Sequence, residues 1–248
     1  MHALHAPYGE YHNTPRDAFQ VTADAKRVRR YLEDHFLQHG YGPGIRDIVT
    51  DLVLPQQRVW DALHVLERAV QVMFVPGTQN LVKVPPFSYV PTRHRAVVDD
   101  GRSWHIGCAG EACAIHGLFP GQTVTLTSLC PDCWTDIEIT IRDGVVTGMK
   151  PETAVIHMGM HPRDFPAEWN ETCDSFNFFA SAEHVRTWEA ALPHKRGVRI
   201  SVDSMIKLVE GVSSTRYWNY DRGSDSPGTP EGVVSKLTTM GVDVSAWQ

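Results

Sequence analysis

The chain has 248 residues, 42% of them apolar and 9% aromatic, enough to bury one sizeable core or a small domain beside a larger one. Its 23 Lys and Arg stand against 29 Asp and Glu, a formal net charge of −6 that repels polyphosphate and argues against general nucleic-acid affinity. No stretch approaches the roughly 20 uninterrupted apolar residues of a membrane helix, and the start MHALHAPYGEYHNTPRDAF lacks the apolar block of a signal peptide, so a cytoplasmic setting without membrane partners is expected.

Residues 1–21 mix His, Pro, Tyr and Gly without periodicity and read as an irregular arm. From there Ala25, Val28, Leu32 and Phe36 recur at helical spacing, Thr22 can cap the run, and Gly40, Gly42 and Pro43 end it. A second helix fits Ile45 to Leu52. A third begins at Pro55 and sets Val59, Leu63 and Leu66 on one face. Strand-like runs at Val70–Val75 and Leu81–Val84 flank Pro76-Gly77-Thr78-Gln79-Asn80, and the order helix, helix, helix, hairpin predicts a winged-helix-like domain over 22–90. In the third helix Arg58 and Arg68 are cancelled by Asp61 and Glu67. Although Gln56 and Gln57 could contact base edges, the face is a poor match for phosphate, so a structural or substrate-covering role is expected.

Pro85, Pro86 and Pro91 mark a linker, beyond which the chain turns β-rich. Strands are expected at Gln122–Ser128 and Asp136–Ile141, with an Asp143-Gly144 turn leading to Val145 and Val146. Further strands fit Ala154–Met158, Ser175–Ala180 and Val198–Val202, with helices at Ser181–Leu192 and Asp203–Val212. Residues 221–230 read as a loop, and one short helix fits the end of the chain. Trp104, Trp134 and Trp188 are expected in the core. The fold class is therefore α+β, an N-terminal helical domain before a β-rich α/β domain over 91–220, with 221–248 as an extension.

All five cysteines, Cys108, Cys113, Cys130, Cys133 and Cys173, fall in one stretch of the chain. Five is too few for a disulfide scaffold and odd besides, so the clustering points to one thiol-rich place and makes all five candidate metal ligands. Cys108-x4-Cys113 and Cys130-Pro131-Asp132-Cys133 could together supply the tetrahedral thiolate shell of a structural zinc. No metal site is assigned to any of the 13 histidines.

The segment Cys173-Asp174-Ser175-Phe176-Asn177-Phe178-Phe179-Ala180-Ser181, followed by a helix with Trp188, resembles the second active-site cysteine segment of the organomercurial (alkylmercury) lyases. Upstream, a Cys-Ala-x-acid segment before a Pro-Gly turn and a strand ending in Cys130 follow the same order. The resemblance spans about residues 22–218 and implies an alkylmercury-lyase-like fold for the second domain. It also implies a mechanism: two thiolates grip mercury, a soft ion, and a carboxyl within hydrogen-bond reach of the departing carbon delivers the proton. Cys173 matches the second thiolate and Cys130 a structural cysteine, while Cys113 and Cys133 are additions. For the first thiolate two registers resemble the family's Cys-Ala-x-Asp, neither with the Asp: counting from Asp99-Asp100 favours Cys108 with Glu111, and counting back from Phe119-Pro120 favours Cys113 with His116. We take Cys108, Glu111 and Cys173 as the catalytic set. Glu in place of Asp adds a methylene and moves the proton donor by about 1.5 Å.

The lyase so implied needs no cofactor, acts on a small organometallic substrate and hands Hg(II) to a soluble thiol. Two other functions fit the residues: a repurposed lyase fold holding zinc or copper through its cysteines while acting on another small molecule, and a winged-helix regulator whose thiols sense a metal.

Overall fold

The computed structural model describes residues 21–69, 71–75, 77–164, 169–210 and 230–248. The expected arm over 1–21 lies outside them, save Val21, as do the loop expected at 221–230, save Pro230, and the end of the helix expected to reach Val212.

The three front helices form where the apolar spacing places them. Helix α1 (Ala23–His39) starts at Thr22, whose hydroxyl accepts the Ala25 N–H, and stops at Gly40, which supplies the left-handed φ of 82°. Helices α2 (Ile45–Leu52) and α3 (Gln56–Arg68) follow, with Val59, Ala62, Leu63 and Leu66 of α3 buried. Strands β1 (Met73–Phe74) and β2 (Leu81–Val84) make the expected hairpin, although β1 is shorter than the Val70–Val75 run.

The linker expected at Pro85–Pro91 is instead a turn inside a sheet. Pro85 and Pro86 are buried, and β2 pairs with β3 (Phe87–Ser88) directly across them. Strands β4 (His94–Val98) and β5 (Ser103–Ile106), which the apolar pattern did not announce, continue it, followed by the short helix α4 (Ala109–Ala114). Then come β6 (Thr123–Leu129), β7 (Asp136–Arg142) and β8 (Val145–Lys150). All are joined antiparallel in one eight-stranded sheet of order β1-β2-β3-β5-β4-β6-β7-β8. Asp143 and Gly144, both at positive φ, close the β7–β8 hairpin as expected.

A second, three-stranded antiparallel sheet has β9 (Val155–Met158) in the middle. Helix α5 (Trp169–Ser175) leads into its edge strand β10 (Phe176–Phe179), so the segment read as strand from Ser175 is helical up to that residue. Helix α6 (Ala182–Ala191) is capped by Ser181, and β11 (Val198–Ile200), α7 (Val202–Leu208) and α8 (Pro230–Thr239) complete the described chain.

One apolar cluster runs from Ala25 in α1 to Val244 near the end, so the front helices and both sheets share a core. Trp104 fastens them together. Its indole N–H donates to the Phe36 carbonyl at 2.5 Å and its ring stacks on Phe119 at 5.0 Å, while Phe36 stacks on Phe87 at 5.0 Å. Arg29 of α1, fully buried, reaches Glu33 at 2.8 Å and the Pro85 carbonyl at 2.6 Å, tying helix to sheet turn. Trp188 packs against this core, but Trp134 does not: it lies 68% exposed, held out by the left-handed backbone (φ 60°) of the β6–β7 turn.

Candidate active site

Cys108 stands where the chain leaves β5 for α4. Its backbone is extended (φ −156°, ψ 171°), and its sulfur accepts the Glu111 N–H at 3.4 Å, so the thiol itself caps the first turn. That turn folds Glu111 back over Gly107, where a Cβ would collide with the carboxylate; the glycine lets the carboxyl lie against the backbone, its φ lying outside the left-handed region. Cys173 arrives from α5 in the other sheet's layer. The donor atoms of Cys108, Glu111 and Cys173 all lie within 4.8 Å of one another. Phe176 and Met205 close around the Gly110 backbone beside the Cys108 sulfur and give that side an apolar wall.

The two sulfurs are buried among charged groups. Cys108 is 8% exposed and Cys173 2%. The Cys108 pKa is raised well above the ordinary thiol range, first by its hydrogen bond with Cys173, then by burial and by the negative charge of Glu111. Lys83 of β2, only 6% exposed, completes the group. Burial works against its ammonium, but the charges of Cys173, Glu111, Asp174 and Cys108 outweigh that and raise its pKa. No motif pointed to Lys83; its signal in the sequence is a single charge inside the apolar run Leu81-Val82-Lys83-Val84.

The other register is not brought here. Cys113 is fully buried in the core, where burial pushes its thiol up and the nearby charge of Asp203 adds to the effect. His116 sits half-buried beside Gly144 of the β7–β8 turn, its pKa lowered by burial. Nor do the two cysteine pairs meet in a four-thiolate shell. Among the described residues, donors gather in two separate groups, and Cys130 and Cys133 join His184 in the second. A metal role for that histidine is not legible in the sequence, because its partners lie far away along the chain.

Two thiols and a carboxylate converging on an α+β scaffold form a donor set for a thiophilic metal. A family model described as alkylmercury lyase (MerB) matches residues 87–213, more than half of the sequence, and the chain belongs to the alkylmercury lyase family. An alkylmercury lyase of Staphylococcus epidermidis is 28% identical over 144 residues, which cover 58% of this chain and 63% of that protein; the match thus spans less than two thirds of that curated relative's length. The crystal structure of the mercury-bound form of MerB2 shares the fold, with a TM-score of 0.64 at 18% identity, over 85% of this chain and 98% of that one. Membership and fold agree with the resemblance read from the Cys173 segment.

Proposed function

We propose that the protein cleaves a carbon–mercury bond by protonolysis, with Cys108 and Cys173 as mercury ligands and Glu111 as proton carrier. The observation that carries this reading is the convergence of those three donors within 4.8 Å, both sulfurs buried, on a family scaffold.

The substrate arrives as an organomercury cation on a soluble thiol. Cys173 displaces that carrier, forming a mercury–sulfur bond while its own proton leaves with the carrier thiol. Cys108, which holds its proton at neutral pH, gives it to the Glu111 carboxylate as its sulfur makes the second bond to mercury. Two thiolates polarise the carbon–mercury bond. The protonated Glu111 carboxyl then delivers the proton to carbon, the bond breaks with its electron pair on carbon, and the hydrocarbon leaves. Hg(II), held by both sulfurs, is exchanged onto soluble thiols that return the two protons. Throughout, the Lys83 ammonium offsets the anionic charge. No cofactor enters these steps.

Residues 22–90 are read as a winged-helix-like unit covering the site, 91–220 as the thiol-site domain and 221–248 as an extension. The covering role is supported by the hairpin that supplies Lys83 and by the front helices' use of their own polar groups: Arg58 pairs with Asp24 at 2.6 Å and Gln57 with Asp61 at 3.0 Å. Five unbridged cysteines fit a cytoplasmic setting rich in soluble thiols.

The test is methane release from methylmercury chloride in excess thiol, measured in the headspace. Cys108→Ser, Cys173→Ser and Glu111→Gln should each lower the rate at least about a hundredfold, the scale of a lost acid or nucleophile. Release no faster than thiol alone by the intact protein, or unimpaired release by both serine variants, overturns the reading.

A further inference from the structure

We propose that Cys130, Cys133 and His184 form a second metal site, separate from the dithiol pocket, that binds a zinc-class divalent cation and clips the β6–β7 turn to helix α6. The donor atoms of the three residues lie within 4.8 Å of one another, and none is shared with the other group.

The local structure is built around the sulfurs. Cys130-Pro131-Asp132-Cys133 is a tight turn, closed by the Trp134 N–H donating to the Cys130 carbonyl at 3.0 Å and by the Cys130 N–H donating to Thr135 at 3.0 Å. Backbone N–H groups of Ala180, Cys133 and Asp132 are directed at the Cys130 sulfur, and the Cys133 thiol donates to the Thr135 hydroxyl at 3.2 Å. Donors aimed at the Cys130 sulfur favour its anionic, metal-binding form.

His184 is prepared in the same way. Asp132, from inside the cysteine turn, lies 2.6 Å from its Nδ1. A carboxylate on one ring nitrogen fixes the tautomer in which the other carries the lone pair, the arrangement that orients histidines toward metals. Ser181 caps α6 and so sets the ring's position one turn into the helix. Cys130 is buried, whereas Cys133, Asp132 and the His184 ring are only partly so, the last 35% exposed. Two thiolates and an imidazole suit zinc, and a half-open site leaves its fourth position to water. Binding expels any proton remaining on the two thiols to solvent.

The inference does not depend on the lyase reading. Protein purified in reductant without chelator is assayed for metal by mass spectrometry, then stripped and titrated with Zn(II) while the melting temperature is followed. One zinc per chain is expected, with a melting temperature that rises on addition of Zn(II). Cys133→Ser and His184→Gln should weaken binding at least a hundredfold and abolish the rise. Asp132→Asn, which keeps every ligand, should weaken it about 10- to 100-fold. Cys173→Ser should keep the full stoichiometry. Reduced protein that takes up no zinc overturns the proposal. So does zinc lost in Cys173→Ser but kept in Cys133→Ser and His184→Gln, or a Cys130–Cys133 disulfide that persists in reductant.

Discussion

Gly107→Ala isolates the position of the Glu111 carboxyl from its chemistry. A methyl group there meets the carboxylate head-on, with Glu111 Cδ at 3.3 Å and Lys83 Cδ at 3.6 Å. Both are parts of flexible side chains, so the backbone need not move; the carboxylate has to retreat by about 1 Å to regain van der Waals distance. Since the Gly107 φ is open to any residue, the variant loses little stability, and alanine's stiffer unfolded chain returns about 0.4–1 kcal/mol. Misplacing a catalytic group by about 1 Å costs on the order of a hundredfold in rate, or roughly 2.7 kcal/mol of barrier. The expected result is a folded protein with an unshifted melting temperature and methane release from methylmercury down about a hundredfold. Release within threefold of the parent, with the fold intact, would refute the argument that Glu111 acts from its place over Gly107.

Cys113→Ala should leave methane release unchanged and cost about 1 kcal/mol in urea denaturation, as for a small buried side chain; loss of activity would restore the Cys113 register. Arg29→Leu should destabilise by about 3–5 kcal/mol, since it strands Glu33 in the core, whereas Arg29→Met with Glu33→Leu should recover most of that in the same assay. His94, buried beside Ser128 at 3.0 Å, has its pKa lowered to about 3, by burial first and then by the charges of Arg93 and Lys83. The unfolded chain therefore binds the proton first, and stability present above about pH 6.5 declines as pH falls toward 3, by about 2 kcal/mol at pH 5. Urea unfolding of His94→Gln should show a flatter slope between pH 7 and 5; an unchanged slope counts against the buried neutral ring.

What was legible in the sequence had a strong period. Leu32 and Phe36 in α1, Leu63 and Leu66 in α3, and Ile137, Ile139 and Ile141 in β7 announce their elements because each buries a regular apolar face. Strand β4 alternates equally well, but its inward residues include His94 and Ala96, which carry no apolar signal, and prolines around it read as breaks. At the site, Cys173 was visible in its segment. The choice between Cys108 and Cys113 was not, because both begin a Cys-Ala segment and only tertiary packing decides which sulfur reaches Cys173 and which enters the core. Lys83 and His184 were hidden because their roles come from partners distant in sequence, which periodicity cannot reveal.

The unbroken sheet across Pro85 and Pro86 bears on where this family's core can be cut. The family match begins at Phe87, in the strand that hydrogen-bonds to β2. A fragment starting there would shed the lysine of the pocket and bare the edge of β3, leaving a row of amides and carbonyls open to pairing with a neighbouring molecule. The front hairpin thus shields that edge, and a fragment lacking it should aggregate more readily than the intact chain.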